Sequence, residues 1–178
     1  RHRFVSSPDH SNGWLMKRVL IKCGWLVTLD PKIGEMKGGE LLYNGNTIEA
    51  VGRNLDASAD EVIDASDKIV MPGLINAHMH TWETALRGIG AEWMSADYFK
   101  HVHSNLATRY KPEDNYVANL MGALAQIDAG VTTLVDWCHN ITTLEHAERA
   151  VDGLLDSGIR AVFAHGTAKP IGLETGTP

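Results

Sequence analysis

Between residues 17 and 70 apolar and polar positions alternate in short β-branched runs, "RVLIKCGWLVTL", "GELLYNGNTIEAVG", "DEVIDAS" and "KIVMPG", broken by Asp-Pro, Gly-Gly and Asn-Gly. Period two bounded by turn residues predicts antiparallel strands, with "YNGN" as a hairpin turn. From Pro72 onward the period changes. "LINAH" reads as a first buried strand, and Tyr98, Phe99, Val102 and Leu106 recur at helical spacing between Ser95 and Tyr110. A second helix is predicted from Pro112, with Glu113 and Asp114 in its first turn. Val117, Leu120, Met121, Leu124 and Ile127 form its apolar face, and it stops at Gly130. Strand "VTTLVD" follows. Thr142 and Glu145 then have the spacing of a capping box for a helix carrying Leu144, Ala147, Val151, Leu154 and Leu155, which closes at Gly158 before strand "IRAVFAH".

Helix, Gly and β-branched strand thus occur twice in succession, and strand-helix-strand repetition implies a parallel sheet in an α/β fold. In such sheets the carboxyl ends of the strands share one side, where sites are built. Those ends carry His78 and His80, then Asp136 and His139, then His165. The fewer than sixty residues of amino-terminal strands form a layer too thin to bury a core of its own. Met16 marks a natural start, and residues 1–15, polar and without period, read as upstream or appended sequence, His2 and His10 with them.

The totals narrow the chemistry. A chain of 178 residues, 44% hydrophobic with net charge -6, is globular and lacks the clustered basic surface of a nucleic-acid binder. Cys23 and Cys138 are too few and too far apart for a disulfide framework or a CxxC site, which fits a reducing cytoplasm. No apolar run approaches the roughly 18 residues of a membrane span, so neither membrane nor nucleic acid is expected as a partner.

On an extended strand residues i and i+2 point to the same side, so His78 and His80 can aim two imidazoles at one cation. Neutral imidazole suits Zn2+ and Fe2+. His101 and His103 have the same spacing within a helical pattern, where i and i+2 diverge, and read as solvated or partly packed surface. Asp136 serves equally as a loop cap or a site residue, and His139 and His165 as site residues or hydrogen-bonded support. Trp82, Trp93 and Tyr98 could stack on a flat ring or pack the interior. Arg87 and Glu92 are candidate substrate contacts or surface ion-pair partners. Cys138 reads as packing.

"VIDASDKIVMPG" and "MPGLINAHMHT" resemble the approach to, and first barrel strand of, the amidohydrolase superfamily. "HMHTWETALRG" and "AGVTTLVDWCHN" look like its branch of chlorohydrolases, triazine aminohydrolases and nucleoside deaminases. The resemblance implies a partial (β/α)8 TIM-like metal-dependent hydrolase barrel, its first three strands in residues 72–178, plus part of a small β-sandwich in residues 16–71. It also implies one divalent metal, Zn2+ or Fe2+, held by His78, His80, a further histidine and an aspartate. That metal lowers the pKa of bound water so that hydroxide attacks a C-N or C-Cl bond of a small nitrogen heterocycle. The last two ligands and the acid-base pair are expected beyond Pro178, which makes the chain a fragment, inactive alone, of a homo-oligomeric enzyme. The alternatives are a cyclic amide or imide hydrolase of the same superfamily and a non-catalytic interaction module.

Overall fold

The computed structural model describes residues 3–5 and 17–166, and the chain divides into two compact units, Asp9–Pro72 and Arg1–Pro8 with Gly73–Pro178. In chain order, strand β1 (Arg3–Val5) belongs to the larger unit. Strands β2 (Arg18–Val27), β3 (Glu35–Lys37), β4 (Glu40–Asn44), β5 (Thr47–Gly52) and β6 (Glu61–Val70) make the smaller one. There β2 pairs antiparallel with both β3 and β4, and β4 with β5 through a two-residue turn in which Gly45 takes a left-handed φ of 57°. The exception to the antiparallel expectation is β6, which runs parallel to β2. Cys23, Leu26 and Ala65 form the small buried cluster of this unit.

The larger unit holds β7 (Leu74–Met79), the 3-10 helix Thr81–Leu86, and α1 (Ser95–Tyr98), which runs on through π-helical Phe99–Leu106 and a 3-10 turn to Arg109. Then come α2 (Pro112–Asp128), β8 (Val131–Cys138), α3 (Leu144–Ser157) and β9 (Arg160–His165). Strands β7, β8 and β9 are mutually parallel, and β1 closes the order β1-β9-β8-β7 by pairing antiparallel with β9. The three residues of β1 are too few to show alternation, so the sequence pattern leaves them out. "LINAH" is not buried as expected: among the described residues β7 pairs with β8 alone, and Ile75 is 71% exposed. The α3 cap lies one residue later than the predicted box, at Thr143, whose hydroxyl accepts from the His146 amide.

The largest departure concerns α2. Val117, Met121, Leu124 and Ile127, predicted as its packed face, are between 40% and 54% exposed. The buried face is instead Asn115, Ala118, Asn119, Gly122 and Ala123. Close approach explains the choice. A Cβ on Gly122 would stand 2.4 Å from Thr84 Oγ1 of the 3-10 helix, and one on Gly153 of α3 would stand 2.5 Å from the Tyr116 carbonyl. Backbones this near admit only small side chains, or polar ones that find partners. The core of this unit, including Trp82, Leu134, Cys138, Leu154 and Phe163, lies where these helices cover the sheet. Among the described residues no helix is long and apolar enough to cross a membrane.

Candidate metal and substrate site

At the carboxyl end of β7 the His78 and His80 ring centroids are 4.9 Å apart at an interplanar angle of 82°. Both rings lie against Trp137 of β8, at 5.2 and 5.8 Å, so they share one side of the sheet. His80 Nδ1 is 2.7 Å from the Trp137 carbonyl oxygen. A carbonyl only accepts, so Nδ1 is the donor in this contact and Nε2 is the ring nitrogen turned toward a metal, the orientation that an outer acceptor gives a ligating imidazole. The His78 amide donates to Asn76 Oδ1, and the Asn76 side chain donates to Gln126 of α2 at 2.9 Å, fixing the strand end to the helix behind it.

Asp136 is fully buried and ties the two strand ends together: Oδ1 accepts the Thr81 amide and Oδ2 the Asn119 side chain, both at 3.0 Å. Burial pushes its carboxyl up to about 6, against the lowering effect of these bonds. Of its two sequence readings, support describes it better than exposure to a ligand. Asn119 also donates to the Ala150 carbonyl, and Asn115 exchanges bonds with Asn140. The polar residues on α2's packed face thus hold the β8 end and the loop that follows it.

That loop presents His139, whose ring lies 4.1 Å from His80 and 4.6 Å from His103. Burial first, then the neighbouring His80 and His103 imidazoles, pull its pKa down to about 4, so the ring is neutral at pH 7. Glu83, His103 and His139 each offer a donor atom, all within 4.8 Å of one another. The Tyr98 hydroxyl donates to Glu83 Oε1 at 2.5 Å and stands 3.0 Å from His103 Nε2. Burial raises the Glu83 carboxyl above its ordinary range, opposed by the Tyr98 bond and the charge of His80. His101 turns elsewhere and packs on Trp93 at 5.2 Å.

Two cavities adjoin this cluster. One of about 320 Å3 is lined by His78, Met79, His80, Glu83, Thr84 and Arg87. The other, about 390 Å3, shares Glu83 and Arg87 and adds Trp93, Tyr98 and Val102 among its walls. Arg87 therefore stands at both. Trp82 does not, because it is fully buried and packs edge-on to Tyr110 at 5.2 Å, a core residue with no face for a substrate. Glu92 is exposed and lines neither cavity, and His165 is exposed at the end of β9, outside the histidine cluster. Cys138 is packing: it is fully buried, and burial pushes its thiol far up. Sequence reasoning passed over Glu83 and placed His103 on the surface. Glu83's position three residues after His80 was the available signal, whereas the π-helix that carries His103 leaves no mark in the periodicity.

No family model matches the chain. It is 34% identical over 152 residues to the 5'-deoxyadenosine deaminase of Methanosarcina acetivorans, covering 85% of this chain and 34% of that protein. It is 32% identical over 127 residues to the 5-methylthioadenosine/S-adenosylhomocysteine deaminase of Pyrococcus furiosus, covering 71% and 29%. Among solved structures, the zinc complex of atrazine chlorohydrolase from Arthrobacter aurescens superposes with a TM-score of 0.71 at 26% identity, over 80% of this chain and 34% of that one. The chain spans about a third of the length of the curated relatives it matches. Its mixed α/β architecture is consistent with part of a TIM barrel, as in its structural neighbours of the amidohydrolase superfamily. The chain corresponds to the amino-terminal part of an amidohydrolase-superfamily protein.

Proposed function

We propose that the protein carrying this chain is a metal-dependent hydrolase of the deaminase type, acting on the exocyclic C-N bond of a small nitrogen heterocycle, with a ring C-Cl bond as the related substrate. The reading is supported most by one observation: two imidazoles on one side of a strand end, one oriented by the Trp137 carbonyl. Its relatives' names add that they act on adenine nucleosides or a chlorotriazine. In this reading residues 72–178 carry the first three units of a (β/α)8 barrel and residues 16–71 part of a small sandwich. His78 and His80 hold one Zn2+ or Fe2+, with the remaining ligands supplied by the rest of the protein.

When bound, such a metal supplies a nucleophile at neutral pH by acidifying water. This chain's residues do the positioning. Asp136 and the Trp137 carbonyl keep the β7 and β8 ends in register, and the same carbonyl holds His80 with Nε2 turned away from it. Glu83 and Arg87 offer an acceptor and a donor at the rim of the cavity beside the histidine pair. The protein works in the cytoplasm as a homo-oligomer on a freely diffusing small molecule, without nucleic acid or membrane.

Elemental analysis of the full-length protein, alongside ammonia release from 5'-deoxyadenosine and chloride release from a chlorotriazine, tests this. The wild type should carry tightly bound metal and release ammonia. His78→Ala and His80→Ala should lose metal and turnover together. Retention of metal by both variants would overturn the reading.

A further inference from the structure

The functional reading puts His78 and His80 on the metal and Glu83 at the cavity rim, and gives His103 and His139 no role although all three of Glu83, His103 and His139 are metal-type donors. Glu83 comes from the 3-10 helix Thr81–Leu86, His103 from the π-helical stretch Phe99–Leu106, and His139 from the loop after β8. All three side chains are half-buried, and their donor atoms converge within 4.8 Å. We infer that Glu83, His103 and His139 form a second divalent-cation site, distinct from the His78–His80 pair and beside it.

Three observations carry the argument. First, the composition is a zinc set: two imidazoles and a carboxylate, as in sites that keep a fourth position for water. Zn-N bonds of about 2.0–2.1 Å put tetrahedral ligands roughly 3.4 Å apart, so donor atoms within 4.8 Å of one another need to close by little more than 1 Å. Second, His139 Nδ1 is buried without a hydrogen-bond partner, and a buried polar atom with nothing to bond is costly unless something fills the place. Third, π-helical turns are rare and concentrate at functional sites. Here one carries His103 to 4.6 Å from His139 and leaves His101 on Trp93.

The Tyr98 hydroxyl, between Glu83 Oε1 and His103 Nε2, holds the trio in shape in the absence of an ion, and the second carboxylate oxygen of Glu83 remains for a metal. The His139 ring lies 4.1 Å from His80, so this second ion would sit one imidazole away from the first. With three ligands from this chain and two of them, Glu83 and His103, already hydrogen-bonded to Tyr98, the second site is the weaker.

The inference rests on the metal-hydrolase reading only for the presence of a first site, and a cobalt titration of the full-length protein separates the two. Stripped protein is titrated with Co2+, read by visible d-d absorption and by equilibrium dialysis. The expected result is two classes of site. His78→Ala removes the tight class, and His103→Ala removes the weak one. Glu83→Gln, which keeps the shape of the side chain, weakens the weak class at least ten-fold with the tight class unmoved. A wild type with a single class, or a weak class indifferent to both Glu83→Gln and His103→Ala, overturns the second site. If the tight class is absent while a Glu83→Gln-sensitive weak class remains, the second site stands and the hydrolase reading falls. Circular dichroism checks that His103→Ala folds, and Glu83→Gln decides the matter if it does not.

Discussion

The chain contains the string His-x-His twice, and the two copies behave differently. At the end of β7 the spacing brings His78 and His80 to 4.9 Å on one side, against a common neighbour. In the helical stretch after α1 the same spacing sends His101 to Trp93 and His103 to Tyr98 and His139. Two residues apart means the same face of a pleated strand and nearly opposite faces of a helix. A metal-ligand motif is therefore a statement about backbone as much as about side chains. Neither copy can be interpreted without a reading of the secondary structure that carries it.

The contrast can be pressed experimentally. The largest effect belongs to the strand pair: replacing either His78 or His80 by alanine should reduce metal affinity by more than the ~10–100-fold that losing an outer partner costs, measured by competition with a chelating dye. Next comes the tie beneath them. Asp136→Ala leaves the Thr81 amide and the Asn119 side chain buried without an acceptor. It should destabilise the folded protein by about 2–4 kcal/mol in urea unfolding. A smaller signature is expected from pH. The folded state raises the Asp136 pKa from 3.8 to about 6, so it binds more protons than the unfolded chain between those values. This group therefore favours folding most at the acid end. Its contribution is lost as pH rises to about 6 and is constant above that, and Asp136→Asn should flatten that part of the stability profile of the metal-free protein. Least of all, His101→Ala gives up a ring contact with Trp93. It should change stability by no more than about 0.5 kcal/mol and leave metal binding unaltered. A His101→Ala variant as damaging as His80→Ala would end the distinction between the two strings.

Much of the fold was legible because it was written in period and punctuation. Pro112 with two acidic residues begins α2, Gly158 ends α3, and the repeated helix-strand units announce a parallel sheet. Hydrophobicity misled where packing is closest. The large apolar residues of α2 are left outside, while Asn115, Asn119 and Gly122 are taken in, because Thr81, Thr84 and α3 approach too near for anything bulky. The candidate site was legible to the same degree. The strand-end histidines stand out by their spacing together with the Pro-Gly turn and apolar run before them. Glu83 and His103 join through a 3-10 turn and a π-helix, local windings with no periodic signature. Trp82 looked available to a substrate from its position beside the motif, and its burial comes from contacts with Tyr110, residues away in the chain and invisible to any local reading.

The bond from His80 to residue 137 has a further consequence. Its acceptor belongs to the main chain, so no amino-acid replacement at position 137, even of the tryptophan itself, can delete it. What could remove it is a slip of β8 along β7, which would carry a different carbonyl past the ring. The role of Nδ1 as donor is thereby set by strand alignment, and a shift in its ring-nitrogen resonance would report a sheet out of step before any loss of secondary structure could be seen.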